Sequence, residues 1–237
     1  MNRILFEREE IAGGEVVFAG ERADHVIDVL HGEAGQTLKT GEIDGLVGTS
    51  TILEVDAAKR QVRVKVDHGC ESVKPWVDLV LAPPRPRVLK RLLPQLASLG
   101  VGRIFLVGAK KVEKAFWGAT LLKDEISRGY FVDGLMQAGT SIMPKMEVRR
   151  NFVRFLADEL DREFPDSCRI VAHPYGADPK TAPAPGGSRL LLAIGPEGGW
   201  CEEEVELLES RGFARYSLGP RILRTDTAVV ALLAKFM

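Results

Sequence analysis

Two hydrophobic patterns divide the chain. Over residues 1–74 apolar positions come in short stretches. Residues 15–19 form a brief apolar strand, and residues 46–56 are β-branched and apolar. Residues 61–67 alternate, with Val62, Val64 and Val66 on one side and Arg63 and Lys65 on the other, as in a half-buried antiparallel strand. Residues 21–30 place Ala23, Val26, Ile27 and Leu30 on one face of a helix. Glycines at positions 13, 14, 20, 32, 35, 41, 45 and 48 punctuate these segments, as the tight turns of a small β-barrel require.

The pattern changes near residues 71–76. Continuous apolar runs at 77–82, 103–107, 168–172 and 190–194 then read as strands buried on both faces. Helical segments at 88–99, 119–137, 151–162 and 202–211 lie between or after them, an alternation that predicts a parallel α/β sheet. Pro94 predicts a kinked or late-starting first helix. Residues 181–188, with Pro183, Pro185, Gly186 and Gly187, read as a loop. Residues 1–74 and 75–237 are therefore expected to be two domains.

Composition adds exclusions. The 237 residues are 45% hydrophobic and 27% charged, a globular and not a disordered balance. The terminal apolar run, 228–234, is far short of the ~20 residues of a membrane span. The first residues turn acidic after Phe6, against a secretory leader. Cys70, Cys168 and Cys201 are widely spaced, with neither a disulfide framework nor zinc spacing, so a reducing cytoplasm and no metal are expected. The net charge of −1 is unevenly spread. Residues 1–74 hold 9 Lys/Arg against 14 Asp/Glu, whereas residues 85–154 hold 14 against 5. Within the second stretch, Arg85, Arg87, Lys90 and Arg91 form a cluster that suits either phosphates or a solvated helix face.

Candidate chemistry concentrates near the C-terminus. The apolar run Leu190-Leu191-Leu192-Ala193-Ile194 leads directly into Gly195-Pro196-Glu197-Gly198-Gly199, a turn where glycines let backbone approach a ligand. Glu197 and the following Glu202, Glu203 and Glu204 disfavour a phosphate there and favour a zwitterionic or cationic ligand. A second element, Leu218-Gly219-Pro220-Arg221-Ile222-Leu223-Arg224-Thr225-Asp226-Thr227-Ala228, follows a strand-like segment at 214–217. Thr225 is the expected N-cap of a terminal helix. Cys201, at another helix start, is placed where a thiol pKa can fall, although it also reads as structural.

Together these two elements closely resemble the RsmE family of small-subunit ribosomal RNA uracil-N3 methyltransferases, in the SPOUT superfamily. Arg3, the His25-to-Leu30 segment and His173-Pro174 extend the resemblance along the chain. It implies an α/β fold in which a small PUA-like β-barrel (1–74), used to position RNA, precedes a SPOUT-type α/β domain (75–237) with a trefoil knot. It further implies a homodimer acting on ribosomal RNA or the small subunit, with no membrane or metal.

The implied cofactor is S-adenosylmethionine, held by His173, Gly195, Gly198, Gly199, Leu218, Gly219, Ile222, Leu223 and Arg224. Uracil N3 carries a proton that must leave. A carboxylate, Glu197 or Asp226, is the expected acceptor, and the Arg224 guanidinium the expected stabiliser of charge on the flanking carbonyl oxygens. Arg3, Arg22, Arg85, Arg87 and Lys90 are the expected RNA contacts. Trp200 is placed to shield the cofactor from water.

The chain departs from the family pattern at Gln95-Leu96-Ala97-Ser98, at Met136-Gln137-Ala138-Gly139-Thr140, at His31 and at Cys201. Charges are lost at positions expected to hold RNA or brace a dimer, not in the cofactor loops. Two alternatives follow: a catalytically degraded RNA-binding or ribosome-assembly factor, or methylation of a different RNA. No Gly-x-Gly-x-x-Gly joins a strand to a helix, which argues against a nucleotide-binding oxidoreductase.

Overall fold

The computed structural model describes residues 2–175 and 188–236, so most of the loop expected at 181–188 lies outside the described residues. The chain forms two compact units, Met1–Lys74 with Val132–Met143, and Pro75–Phe131 with Pro144–Met237. The sequence reading put residues 132–143 in the second domain, and they join the first for a specific reason. The amides of Asn2 and Arg3 donate to the Met136 carbonyl at 3.0 and 3.1 Å. Met143 N donates to Asp44 Oδ1 at 2.7 Å, and Ser141 Oγ to the Gly45 carbonyl at 2.8 Å.

The first unit is built on a curled mixed sheet. Its strands are β1 (Ile4–Phe6), β2 (Glu15–Phe18), β3 (Thr37–Glu42), β4 (Val47–Asp56) and β5 (Gln61–Cys70), in the order β1-β3-β4-β5-β2. Only β1 and β3 run parallel. The three-residue β1 and four-residue β2 form the two edges of the sheet. Val62 and Val64 turn inward with Phe6, Phe18 and Ile52, as the alternation requires. Helix α1 (Glu21–Asp24) runs into a π turn (His25–Val29) that buries Val26. β3 escaped the sequence reading because its six residues hold one large apolar side chain, Leu38. Its buried polar residue, Thr40, is instead bonded to Ser50 Oγ at 2.6 Å.

The second unit carries a fully parallel six-stranded sheet. Its strands are β6 (Val77–Leu81), β7 (Val101–Val107), β8 (Lys145–Arg149), β9 (Cys168–Ala172), β10 (Leu190–Ile194) and β11 (Ala214–Tyr216), in the order β11-β9-β10-β6-β7-β8. The helices are α2 (Pro86–Ser98), α3 (Asp124–Ala138, whose residues from Val132 belong to the first unit), α4 (Phe152–Arg154), α5 (Leu160–Glu163), α6 (Glu202–Ser210) and α7 (Thr225–Phe236). β6 and β10 are buried along their whole length, as their unbroken apolar runs demand. β8 was missed because Lys145, Glu147 and Arg149 break its apolar pattern, and an edge strand tolerates them.

Two helix expectations need correction. α2 starts at Pro86, before the expected Val88, because proline suits the first turn; it then runs through Pro94. α3 starts at Asp124, not near 119, because residues 114–122 form two short 3₁₀ turns. At the start of β6, Asp78 is nearly fully buried between Arg103 and Arg189. Its carboxylate accepts from Arg189 Nε at 2.7 Å and from the Arg103 amide at 2.8 Å. Such a charge is tolerated only when fully paired.

Strand order positions the site. From β6 the chain steps outward to β7 and β8, then returns to the other side of β6 with β9, β10 and β11. In open α/β sheets, ligands bind beyond the carboxyl ends of strands where that direction reverses. Here β11, β9 and β10 are adjacent and parallel, so their C-terminal loops open together.

Candidate active site

Those three loops surround a cavity of about 330 Å³, within the range of small-molecule sites. β9 delivers His173, Pro174 and Tyr175; β10 delivers Gly195 to Trp200; β11 delivers Ser217, Leu218 and Gly219. Arg221, Ile222 and Leu223 continue the wall into α7, where Thr225, Ala228 and Leu232 complete it. Of the expected cofactor residues, His173, Gly195, Gly198, Gly199, Leu218, Gly219, Ile222 and Leu223 all line this cavity. Arg224 does not: Arg221 takes the wall position, while the Arg224 carbonyl accepts the Ala228 amide in the first turn of α7.

Gly195 is required sterically. A Cβ there would sit 2.8 Å from the Trp200 amide nitrogen and 3.1 Å from the Gly199 carbonyl carbon, both backbone. Gly219 is required conformationally, with φ at +119°. Ser217 ties two loops: its hydroxyl lies 3.2 Å from the Pro174 carbonyl and accepts the Gly219 amide at 3.2 Å. His173 is anchored by its amide, which donates to the Tyr216 carbonyl at 3.0 Å, and its ring meets Tyr175 edge-on.

Two further side chains fasten the cavity loops. Lys111, in the loop after β7, lines the cavity and donates from Nζ to the Gly198 carbonyl at 2.9 Å. Glu204 is buried at the start of α6, where Oε2 accepts the Cys201 amide at 2.9 Å and Oε1 the Lys110 amide at 2.7 Å. Glu204 thus fastens the Lys111 loop to the helix that follows the glycines. The capping-box spacing Cys201-x-x-Glu204 signalled the first bond. Nothing local signalled the second, 94 residues apart.

The acidic helix start is also different from its sequence reading. Glu202 pairs with Arg215 at 2.8 Å and Glu203 with Lys110 at 3.5 Å, so these carboxylates are engaged elsewhere and do not line the cavity. Burial and the nearby Glu203 raise the Cys201 thiol above its ordinary range, the reverse of the activated thiol a helix N-terminus can produce. Of the two carboxylate candidates, Glu197 lines the cavity, with Oε1 accepting the Arg85 amide at 2.9 Å. Asp226 does not line it, and pairs with Arg91 at 3.3 Å.

The expected RNA contacts separate into two groups. Arg3 donates to the carbonyls of Thr40 (2.6 Å), Gly139 (2.9 Å) and Gly48 (3.0 Å). Arg22 pairs with Glu10 at 2.6 Å and donates to the Leu5 carbonyl. Both are internal braces of the first unit, with donors spent on the protein. Arg85, Arg87 and Lys90 are exposed at the start of α2.

A zwitterionic, partly aromatic cofactor such as S-adenosylmethionine fits this cavity. Ile194, Leu218, Ile222, Leu223 and Leu232 supply apolar wall. The buried Trp200 Nε1 has no hydrogen-bond partner among the described residues, a donor that a ligand acceptor would satisfy. The Trp200 ring is itself fixed by stacking on Phe152, with centroids 5.2 Å apart.

Comparison with known proteins agrees with this geometry. Residues 71–237 match the family model of the RNA methyltransferase domain. The chain is 33% identical to ribosomal RNA small subunit methyltransferase E of Treponema pallidum, over 99% of this chain and 90% of that protein. A Legionella pneumophila protein solved with the cofactor SAM superposes with a TM-score of 0.75 at 26% identity, covering 99% and 96% of the two chains. The ribosomal RNA small subunit methyltransferase E of Neisseria gonorrhoeae, solved with S-adenosyl methionine, shares the fold at TM-score 0.78 and 21% identity, over 99% and 96%. With its matched domain, its full-length relative and its cavity of glycine loops, the chain belongs to the RNA methyltransferase family that includes ribosomal RNA small subunit methyltransferase E.

Proposed function

We propose that this protein methylates N3 of a uracil in small-subunit ribosomal RNA, using S-adenosylmethionine bound in the cavity. The observation that carries the reading is the convergence of the β9, β10 and β11 loops on one cavity. Eight of the nine cofactor residues implied by the resemblance line it. The family and the SAM-bound Legionella relative support the cofactor.

The chain's residues divide the work. Backbone of the glycine loops and the β11 loop holds the cofactor, and Trp200 and the apolar wall exclude water from it. When bound, the cofactor supplies a methyl group activated by a positive sulfonium. Lys111 braces the Gly198 carbonyl and keeps the loop in place. Glu197 has Oε1 engaged by the Arg85 amide, which orients Oε2 to accept the N3 proton. Alignment of two bound partners then accounts for most of the rate.

Further elements of the reading rest on the family resemblance. The curled sheet of the first unit serves as a PUA-like RNA-positioning domain. The loops of the second unit thread a trefoil knot. The protein works as a homodimer in the cytoplasm, where its ribosomal RNA substrate is found. The exposed Arg85, Arg87 and Lys90 meet phosphates.

The test is incubation with S-adenosylmethionine and small-subunit RNA lacking the modification, followed by nucleoside mass spectrometry. The expected product is N3-methyluridine at one position. RNA binding without any methylated nucleoside would instead favour the degraded, RNA-binding scaffold.

A further inference from the structure

The motif presents two arginines three positions apart, and the fold separates them. Arg221 lines the cavity; Arg224 lies at the helix start, outside it. The cavity wall holds two long cations, Arg221 and Lys111. The Lys111 ammonium is engaged by the Gly198 carbonyl at 2.9 Å. The Arg221 guanidinium has no hydrogen-bond or ion-pair partner among the described residues. Several arginines of this unit are held by carboxylates, Arg103 and Arg189 by Asp78, Arg149 by Glu147 and Glu159, and Arg215 by Glu202 and Glu209; Arg221 differs from Arg224, whose side chain is likewise unpaired among the described residues, in lining the cavity. Arg221 also stands among exposed apolar side chains, Leu218, Ile222 (73% exposed) and Leu223, on the wall where a flat base can rest.

We infer that Arg221 is a catalytic residue that binds the target base edge and stabilises the negative charge on its carbonyl oxygens as N3 loses its proton. This rests on the uracil-N3 reading above. The N3–H bond breaks, its proton goes to Glu197, and its electron pair stays on the base. That pair forms the N3–CH₃ bond while the S–CH₃ bond breaks and leaves its electrons on sulfur. Deprotonated N3 shares its charge with the two flanking carbonyl oxygens, and a planar guanidinium fork suits such an edge better than a point charge does.

The experiment compares wild type with Arg221→Ala and Arg221→Lys on ordinary RNA and on RNA carrying 5-fluorouracil, whose N3 is more acidic. The expected result is S-adenosylmethionine affinity within about threefold of wild type. Turnover should fall about 10²–10³-fold, the usual effect of removing one charge-stabilising donor. The rate should require higher pH, and the fluorinated RNA should restore Arg221→Ala by at least tenfold while changing the wild type little. A tenfold loss of cofactor affinity with turnover intact would assign Arg221 to the cofactor carboxylate and overturn the inference. Absence of rescue by the fluorinated RNA would overturn it too. A wild type that methylates no uracil N3 would overturn it together with the reading on which it rests; the other two outcomes overturn the assignment of Arg221 alone.

Discussion

At Cys201 and His68 single side chains set measurable properties. Cys201 begins α6 and caps it through a weak sulfur acceptor, completing a reciprocal box with Glu204. Serine is a stronger cap, so Cys201→Ser is expected to raise stability by about 0.5–1 kcal/mol in chemical denaturation. His68 is buried against Phe6, with ring centroids 5.4 Å apart. Its Nε2 lies 2.8 Å from Thr40 Oγ1, and its Nδ1 is 3.6 Å from Glu42 Oε1. Burial lowers its pKa from the ordinary 6.5, outweighing the opposing effect of Glu42, and Arg3 adds to the lowering. The unfolded chain then takes up the proton more readily than the folded one. Stability from this site is complete above about pH 6.5 and is lost as pH falls through the folded value. Urea titrations at pH 7.5 and pH 5 should show this loss, and His68→Gln should reduce it. An equal loss in the variant would assign the effect to other groups.

The elements explain why some parts of the site were readable and others were not. The unbroken apolar run of β10 identified a doubly buried strand, and the glycines after it identified a backbone-lined loop. Both are local signals. The position of Arg221 depends on where α7 begins: with the helix starting at Thr225, Arg224 stands at its N-cap and Arg221 stays on the wall. Motif spacing alone pointed to Arg224, which does not line the cavity. Lys111 reaches Gly198 across 87 residues, a contact that only the parallel order of β7, β6 and β10 creates. Charged β8 and polar β3 were invisible because one is an edge strand and the other buries a hydrogen-bonded threonine instead of an apolar row. Glu204 joins two such elements. Glu204→Ala removes the acceptor of two amides, so a loss of about 2–6 kcal/mol is expected, at about 1–3 kcal/mol per orphaned group. Glu204→Gln, which keeps one carbonyl acceptor, should lose less. Equal stability of Glu204→Ala and wild type would show that these bonds hold nothing.

Across the whole molecule, positive charge is unevenly placed. Residues 1–74 carry a net charge of −5, and two of their nine cations, Arg3 and Arg22, are spent internally. Residues 85–154 carry +9, including the exposed cluster that opens α2. Long-range attraction to RNA is therefore expected from Arg85, Arg87 and Lys90. Replacing any one of them by alanine should reduce the slope of log affinity against log salt by about one. Arg3→Ala should leave that slope unchanged and lower stability, because it strips donors from three backbone carbonyls. The opposite pattern would return RNA binding to the first unit.

The proposed site for the methyl donor is formed by the loops after β9, β10 and β11. Calorimetric titration of wild type and Gly195→Ala with S-adenosylmethionine tests it most directly, since the added Cβ meets backbone at 2.8 Å inside that loop. Micromolar binding by the wild type, weakened at least tenfold in a variant that still unfolds cooperatively, is the predicted result. Equal affinity in the two proteins would place the cofactor elsewhere and contradict the account.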